Sequence, residues 1–414
     1  MNVPFLTAVR VFVPFAAGYF LSYLYRVVNA VIAPDLVGEL GIGPSALGLL
    51  TATYFIAFAS AQLPLGVLLD RFGPRRVEAL LLLFAGLGAY LFSRSASLSA
   101  LIVARAFIGF GVSACLMAAF KAYTLWFPTD KWPLVNGFQM AAGGLGALAA
   151  TAPVEAALQV TDWRGIFAAL SLATLVVAVA VYTVVPERSS GASGECLNDQ
   201  LEGVKAVFTS RVFWRTAPLA TMSQAAFLSI QGLWAGPWLK DVAGLDRSGV
   251  ATVLSWVAVA MIVGFISLGT LAERLSQRGI AVLTTSVTGM FVFMAVQLLV
   301  LTTPLAWGPL VWVLFGFFGT SGIIAYAGFS QQFPVHLSGR VTTAINLLVF
   351  IAAFVGQWAI GAIIGLWPVE SNGNYSAAGY RSAFALILAI QLIAWLWYAS
   401  TARWADGALL QGGR

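Results

Sequence analysis

Charge is what this chain has least of. Only 9% of its 414 residues are Asp, Glu, Lys or Arg, and there is one histidine and two cysteines. Soluble domains carry about 25% charged residues, because a water-facing surface has to be covered. The shortage excludes an ordinary soluble enzyme, a disordered chain and a nucleic-acid-binding domain. Two cysteines, Cys115 in an apolar run and Cys196 in a polar one, make neither a disulfide framework nor metal-ligand spacing. The glycine loop with lysine that cradles nucleotide phosphates is missing, so ATP-driven transport lacks its usual motif, and no cofactor is expected.

What the chain has in excess is apolar surface. Hydrophobic residues make up 60% of it, and the mean hydropathy is +0.89. A spanning helix needs about 20 apolar residues. Six apolar runs fit this, at 10–33, 45–69, 77–93, 98–122, 133–158 and 163–185. A polar stretch, 187–210, follows, and its Ser/Gly-rich run 189–194 reads as a linker. Six more runs lie at 213–238, 248–272, 279–301, 305–330, 341–366 and 378–400. The expectation is an all-α membrane protein of twelve transmembrane helices. It has an N-terminal bundle (1–186), a linker (187–210), and a C-terminal bundle with a short tail (211–414). The first run continues into the body of the protein without a small-residue cleavage site, so no removable signal peptide is expected.

Basic residues set the orientation. With the N-terminus inside, fourteen of the 22 Lys and Arg fall in cytoplasmic segments and five in outer loops. Three remain within spans: Arg26, Arg105 and Lys121. Both termini are therefore expected in the cytoplasm. The halves also resemble each other. Gly66 to Arg71 (GVLLDR) parallels Gly269 to Arg274 (GTLAER), and Trp163-Arg164 parallels Tyr380-Arg381. Parallel repeats place a pseudo-twofold axis along the membrane normal and a binding site between the halves.

The loop Gly66-Val-Leu-Leu-Asp70-Arg71-Phe-Gly73-Pro-Arg75-Arg76 resembles the signature loop of the major facilitator superfamily. Arg105-Ala-Phe-Ile-Gly109-Phe-Gly111 resembles that family's helix 4 motif. The resemblance implies two pseudo-symmetric six-helix bundles that rock to give alternating access. In the loop, Asp70 suits a helix N-terminus. Arg71, Arg75 and Arg76 suit bridges to carboxylates or anionic headgroups. Gly66 and Gly73 suit close helix approach and a tight turn. With Glu273 and Arg274 in the second half, these residues are expected to latch and release the cytoplasmic side. Arg105 divides between a structural bond to neighbouring carbonyls and a role in coupling.

An ionisable side chain at membrane depth points to function. Arg26 shares a helical face with Tyr19, Ser22, Tyr23 and Asn29, a polar stripe that reads as a cavity wall carrying one positive charge. Tyr25-Arg26-Val-Val-Asn29 also resembles helix 1 of the branches that move organic phosphates and other organic anions. There the arginine contacts the substrate's anionic group, and Lys121 sits where many members carry a second basic residue. Snorkelling to the membrane surface is the competing reading for both. The chain departs from those branches: helix 7 has no interior basic residue, and carboxylates beside the helix 1 arginine and in helix 4 are missing. A monoanion or zwitterion is favoured over a doubly charged phosphate.

Neutral polar residues add candidates. Gln231 and Trp234 in helix 7 and Asn346 in helix 11 are expected in the cavity, and Gly236-Pro237 is expected to bend helix 7 into an outer gate. Gln224, Gln139 and Gln357 divide between cavity and interhelical bonding. Glu155 is the one acidic residue expected within a span, near its outer end, and His336 is expected at the surface. Met290 and Met294 suit soft copper or simple packing.

The sequence reading is a monomeric secondary transporter of the bacterial inner membrane, moving a small organic anion or zwitterion. A coupling proton or counter-anion is expected as a partner, nucleic acid is not, and the protein is not expected to be an enzyme. Drug or metabolite export, copper import and a non-transporting receptor on the same fold are the alternatives.

Overall fold

The computed structural model describes residues 4–128, 132–188, 197–302, 307–333, 337–371 and 373–401. Cys196 and His336 lie outside them. Helices dominate, and no strand occurs among the described residues. Ten helices are long and apolar enough to cross a membrane. Two further stretches, 132–157 and 211–241, complete twelve spans as interrupted helices.

In chain order the helices of the first half are α1 (Phe5–Val27), α2 (Asn29–Leu40), α3 (Pro44–Phe72), α4 (Pro74–Arg94), α5 (Leu98–Gly111), α6 (Cys115–Trp126), α7 (Trp132–Ala149), α8 (Ala152–Ala157) and α9 (Trp163–Val184). The stretch expected as linker contains α10 (Leu197–Thr209). The second half has α11 (Arg211–Ser229), a π-turn (Ile230–Trp234), α12 (Ala235–Asp241), α13 (Arg247–Gln277), α14 (Val282–Thr302), α15 (Gly308–Gly319), α16 (Ser321–Ser330), α17 (Ser338–Ile364) and α18 (Ala377–Ser400). Spans 1 and 7 are each interrupted, at Val28 and at the π-turn; spans 4 and 10 are interrupted at 112–114 and at Thr320.

Local chemistry explains the boundaries. Proline opens α3 and α4 at positions where a missing N–H costs nothing. Asp162, Ser210 and Asp246 cap α9, α11 and α13 with side-chain oxygens. Gly73 joins α3 to α4 at φ 77°, which a side chain adopts only with strain, so the tight turn expected there is present. Gly66 differs from expectation. It is exposed, and nothing would lie within 4 Å of a Cβ there, so no close helix approach uses it in this state.

The two halves meet along α3 against α17 and α7 against α13. One end of the bundle, termed here the loop face, carries the Asp70 loop and α10. The opposite face carries Asp35, Glu155, Arg164 and Arg247. Small residues let the halves close at the opposite face. A Cβ on Gly236 would fall on the Ala30 carbonyl, and one on Gly361 on that of Pro44. Gly48 lies against Trp234 and Gln357, and Gly144 against Ile262. Such contacts are how helices associate where lipid removes any hydrophobic driving force between them.

Candidate functional site: a central cavity with one cation

A cavity of about 310 Å³ lies between the halves. Its first wall is the polar stripe of α1. Tyr19, Ser22, Tyr23 and Arg26 follow the i, i+3, i+4, i+7 spacing that puts four side chains on one helical face, and all four line the cavity. Phe58 of α3, Ser113 and the α6 residues Leu116, Met117 and Phe120, and Met140 of α7 continue the N-terminal side. Gln224 and Leu228, Ile323 and Tyr326, and Asn346, Val349 and Phe350 close the other side.

Arg26 is 6% exposed, and among the described residues no carboxylate pairs with it. Aromatic rings surround its guanidinium instead. The ring centroids of Tyr23, Phe350, Phe58 and Tyr54 lie 4.4, 5.3, 5.8 and 5.9 Å from Cζ. Their faces offer the cation partial compensation, of order 2 kcal/mol per desolvated contact. Of the described side chains around it, the Tyr54 hydroxyl alone is near enough to accept a hydrogen bond, and the Nε–H has no acceptor. The result is a buried positive charge with a donor to offer and, among the described residues, no carboxylate to take it.

Other expected site residues fall into separate groups. Asn346 is in the cavity wall, where its Nδ2 donates to Gln62 Oε1 across the halves (2.8 Å) and its Oδ1 accepts from Tyr326 Oη (3.2 Å). Gln231 and Trp234 do not line the cavity. Both are buried within the π-turn, and the Trp234 indole donates to the Gln357 carbonyl (2.9 Å). Asn29 is fully buried, off the cavity wall, with both side-chain polar atoms unpartnered. Lys121 is also outside the cavity: its ammonium is 2.7 Å from Asp70 at the loop face, and the lysine is 33% exposed. The expectation of a second cation in the site is thus not met. Snorkelling takes Lys121 to the end of its helix, where the Asp70 carboxylate receives it. Arg105 is buried, donates to the Tyr25 carbonyl (2.8 Å) and stacks over Tyr54. That geometry is the structural alternative of the two readings.

The gating residues also separate. Arg75 pairs with Glu187 (3.2 Å), and Arg76 pairs with the same carboxylate. Arg71 lies over the Phe72 ring. Glu273 and Arg274 are exposed and enter none of the described ion pairs. Gly236-Pro237 does not break span 7; α12 runs through it. The disruption comes just before, at the π-turn Ile230–Trp234.

Two groups escaped the sequence reading. At the opposite face Arg247 of the second half reaches both Asp35 Oδ1 and Oδ2 (2.9 and 2.5 Å) and Glu155 Oε2 (2.7 Å) of the first. These are the described ion pairs that join the halves, and Thr151 to Ser255 adds a 2.8 Å hydroxyl contact beside them. Glu155 therefore takes part in an ion pair between the halves. Inside the bundle Glu78 is 0% exposed, and neither carboxyl oxygen has a conventional partner. It lies against Gly18 of α1, with the Cys115 thiol beside it. The signal was present: Glu78 falls inside an apolar run, two residues after Arg76.

The chain belongs to the major facilitator superfamily, whose pattern matches residues 15–357. It is 26% identical over 273 residues to the probable sulfoacetate transporter SauU of Cupriavidus necator, covering 63% of this chain and 64% of that one. It is 24% identical over 405 residues to the hexuronate transporter of Bacillus subtilis, covering 92% and 93%. The match to the sulfoacetate transporter thus spans less than two thirds of that relative's length. Among solved structures, a bacterial homologue of the human lysosomal transporter Spinster, inward-facing and unoccupied, superposes with a TM-score of 0.76 at 16% identity over 98% of this chain and 99% of that one. A D-xylose–proton symporter superposes with a TM-score of 0.71 at 15% identity, covering 93% and 97%. These two likenesses establish the fold.

Proposed function

We propose that this protein is a secondary transporter that moves a small organic monoanion across the bacterial inner membrane by alternating access, with Arg26 as the charge partner. The observation that carries the reading is the buried, carboxylate-free guanidinium in a cavity shared by both halves. A buried cation without an anion is costly, and a bound anionic substrate supplies what the fold leaves out. Relatives named as a probable sulfoacetate transporter and a hexuronate transporter, both for organic anions, support the same class.

The loop face is the cytoplasmic one in this proposal, so both termini lie inside, in keeping with the bias of basic residues. The opposite face, held by Arg247, Asp35 and Glu155, is then the closed outer gate. The cavity lining runs toward the loop-face ends of α6, α16 and α17, at Phe120, Ala327 and Thr342. Substrate in this state exchanges with the cytoplasm. Coupling to a proton or a counter-anion belongs to the same proposal, and Glu78 is the interior carboxyl available to a proton. The protein acts as a monomer. Copper import finds no support: Met290 and Met294 are buried on α14, away from the cavity.

The test is binding to the purified protein, read as ligand-induced stabilisation, which follows mass action. Carboxylates and sulfonates are expected to stabilise it in an Arg26-dependent manner. Stabilisation by cations or neutral drugs alone contradicts the proposal.

A further inference from the structure

The cavity around Arg26 also limits the body of the anion, on the reading that Arg26 binds one. Its polar groups are largely committed to the protein. Ser113 Oγ donates to the Phe110 carbonyl (2.6 Å), and Ser22 Oγ lies 3.4 Å from Tyr54 Oη. Gln224 Nε2 faces the Gly319 carbonyl at 3.4 Å. Asn346 bridges Tyr326 and Gln62, and the Tyr19 hydroxyl points at the Met140 sulfur. The Tyr23 hydroxyl and Gln224 Oε1 are the lining groups left over, so a ligand with several hydroxyls would exchange water for walls with few free donors or acceptors.

The remaining surface is aromatic, aliphatic and thioether. Phe58 and Phe350, one from each half, stack at 4.0 Å beside the guanidinium. Leu116, Met117, Leu228 and Val349 extend the apolar wall. Met adapts to irregular apolar shapes and makes favourable contacts with aromatic rings. One cation also limits the ligand to one anionic group, because a second would stay buried and unpaired.

We infer that the substrate is an amphipathic monoanion: a single carboxylate or sulfonate on an unhydroxylated aryl or branched-alkyl body. Sugar acids and compact dianions are disfavoured, although relatives of this chain carry such names. An apolar pocket discriminates against one added hydroxyl by up to about a hundredfold, and a sugar acid carries several.

The experiment is titration of the full-length protein in nanodiscs with phenylacetate, 3-methylbutanoate, glucuronate, sulfoacetate and the neutral 2-phenylethanol. Wild type, Arg26→Gln and Val349→Thr are compared, with unliganded melting temperatures as the check on folding. Phenylacetate or 3-methylbutanoate is expected to bind at least about tenfold more tightly than glucuronate or sulfoacetate, with Arg26→Gln removing the binding. Val349→Thr, which places a hydroxyl on the apolar wall at nearly constant volume, is expected to narrow the gap to glucuronate whether or not Arg26→Gln folds. Tighter, Arg26-dependent binding of glucuronate or sulfoacetate overturns the substrate class but leaves the anion reading intact. Binding of 2-phenylethanol to wild type as tightly as phenylacetate, with phenylacetate binding unchanged in Arg26→Gln, or binding of none of the probes at millimolar concentration, overturns the inference. The 2-phenylethanol result would remove the anion reading with it.

Discussion

Gly236→Ala is the most informative single perturbation of the gate. Gly236 belongs to α12 of the second half, and a Cβ there would fall on the Ala30 carbonyl of α2 in the first. The next atoms are also backbone, with Ala30 C at 3.1 Å and Cα at 3.6 Å, so no side chain can swing aside. Overpacking of this kind costs about 1–3 kcal/mol. Both atoms belong to different halves, so the cost applies only while the opposite face is closed. The equilibrium should therefore move by roughly 5–150-fold toward the state open at that face. Spin labels at Val160 and Leu366, both exposed at the opposite face, report the separation of the halves. The assay is electron–electron double resonance on Val160→Cys/Leu366→Cys in a Cys196→Ser background. Gly236→Ala is expected to enlarge the long-distance population with little change in melting temperature. An unchanged distance distribution with a melting temperature several degrees lower would refute the reasoning, because Gly236 would then be ordinary packing.

The remaining predictions concern neighbouring contacts. Arg247→Ala should shift the same distance distribution in the same direction. The shift should be smaller, about 1 kcal/mol or less, because Arg247 and Asp35 are 41% and 28% exposed and water screens them; high salt should reduce the difference from wild type. Gly109→Ala drives a Cβ into the Tyr54 backbone and should lower thermal stability by about 1–3 kcal/mol in detergent. Gly66→Ala meets nothing and should leave stability unchanged or raise it, by up to about 1 kcal/mol of helix propensity. Lys121→Met removes a half-exposed pair with Asp70 and should leave equilibrium binding of any anion within about threefold of wild type, since such pairs contribute less than about 1 kcal/mol. A large loss on titration would return Lys121 to the site.

The parts of this molecule that were legible in the sequence were those written in periodicity. Apolar runs of membrane length marked the spans. The Tyr19-Ser22-Tyr23-Arg26 stripe marked a cavity wall because α1 is regular up to Val27. The same rule misplaced Gln231 and Trp234, because the π-turn at Ile230–Trp234 rotates every later residue away from the face that a regular helix would give. Lys121 was misplaced for a different reason. A long flexible stem lets its charge lie well away from its Cα, and its partner Asp70 is 51 residues away in sequence. Glu78 was not singled out, and Glu155 was taken as the one acidic residue within a span; tertiary packing by Gly18 and Cys115 takes Glu78 out of reach of water. The Arg247 latch joins residues 212 apart, which no local pattern encodes.

Uptake of a radiolabelled organic monoanion into proteoliposomes, comparing wild type, Arg26→Gln and Lys121→Gln at matched incorporation, tests the central claim most directly. Removing one partner of a buried charge pair costs about 2–5 kcal/mol. Arg26→Gln is therefore expected to weaken substrate affinity by at least about thirtyfold, while Lys121→Gln still binds as wild type does. Wild-type uptake and affinity in Arg26→Gln would contradict the account.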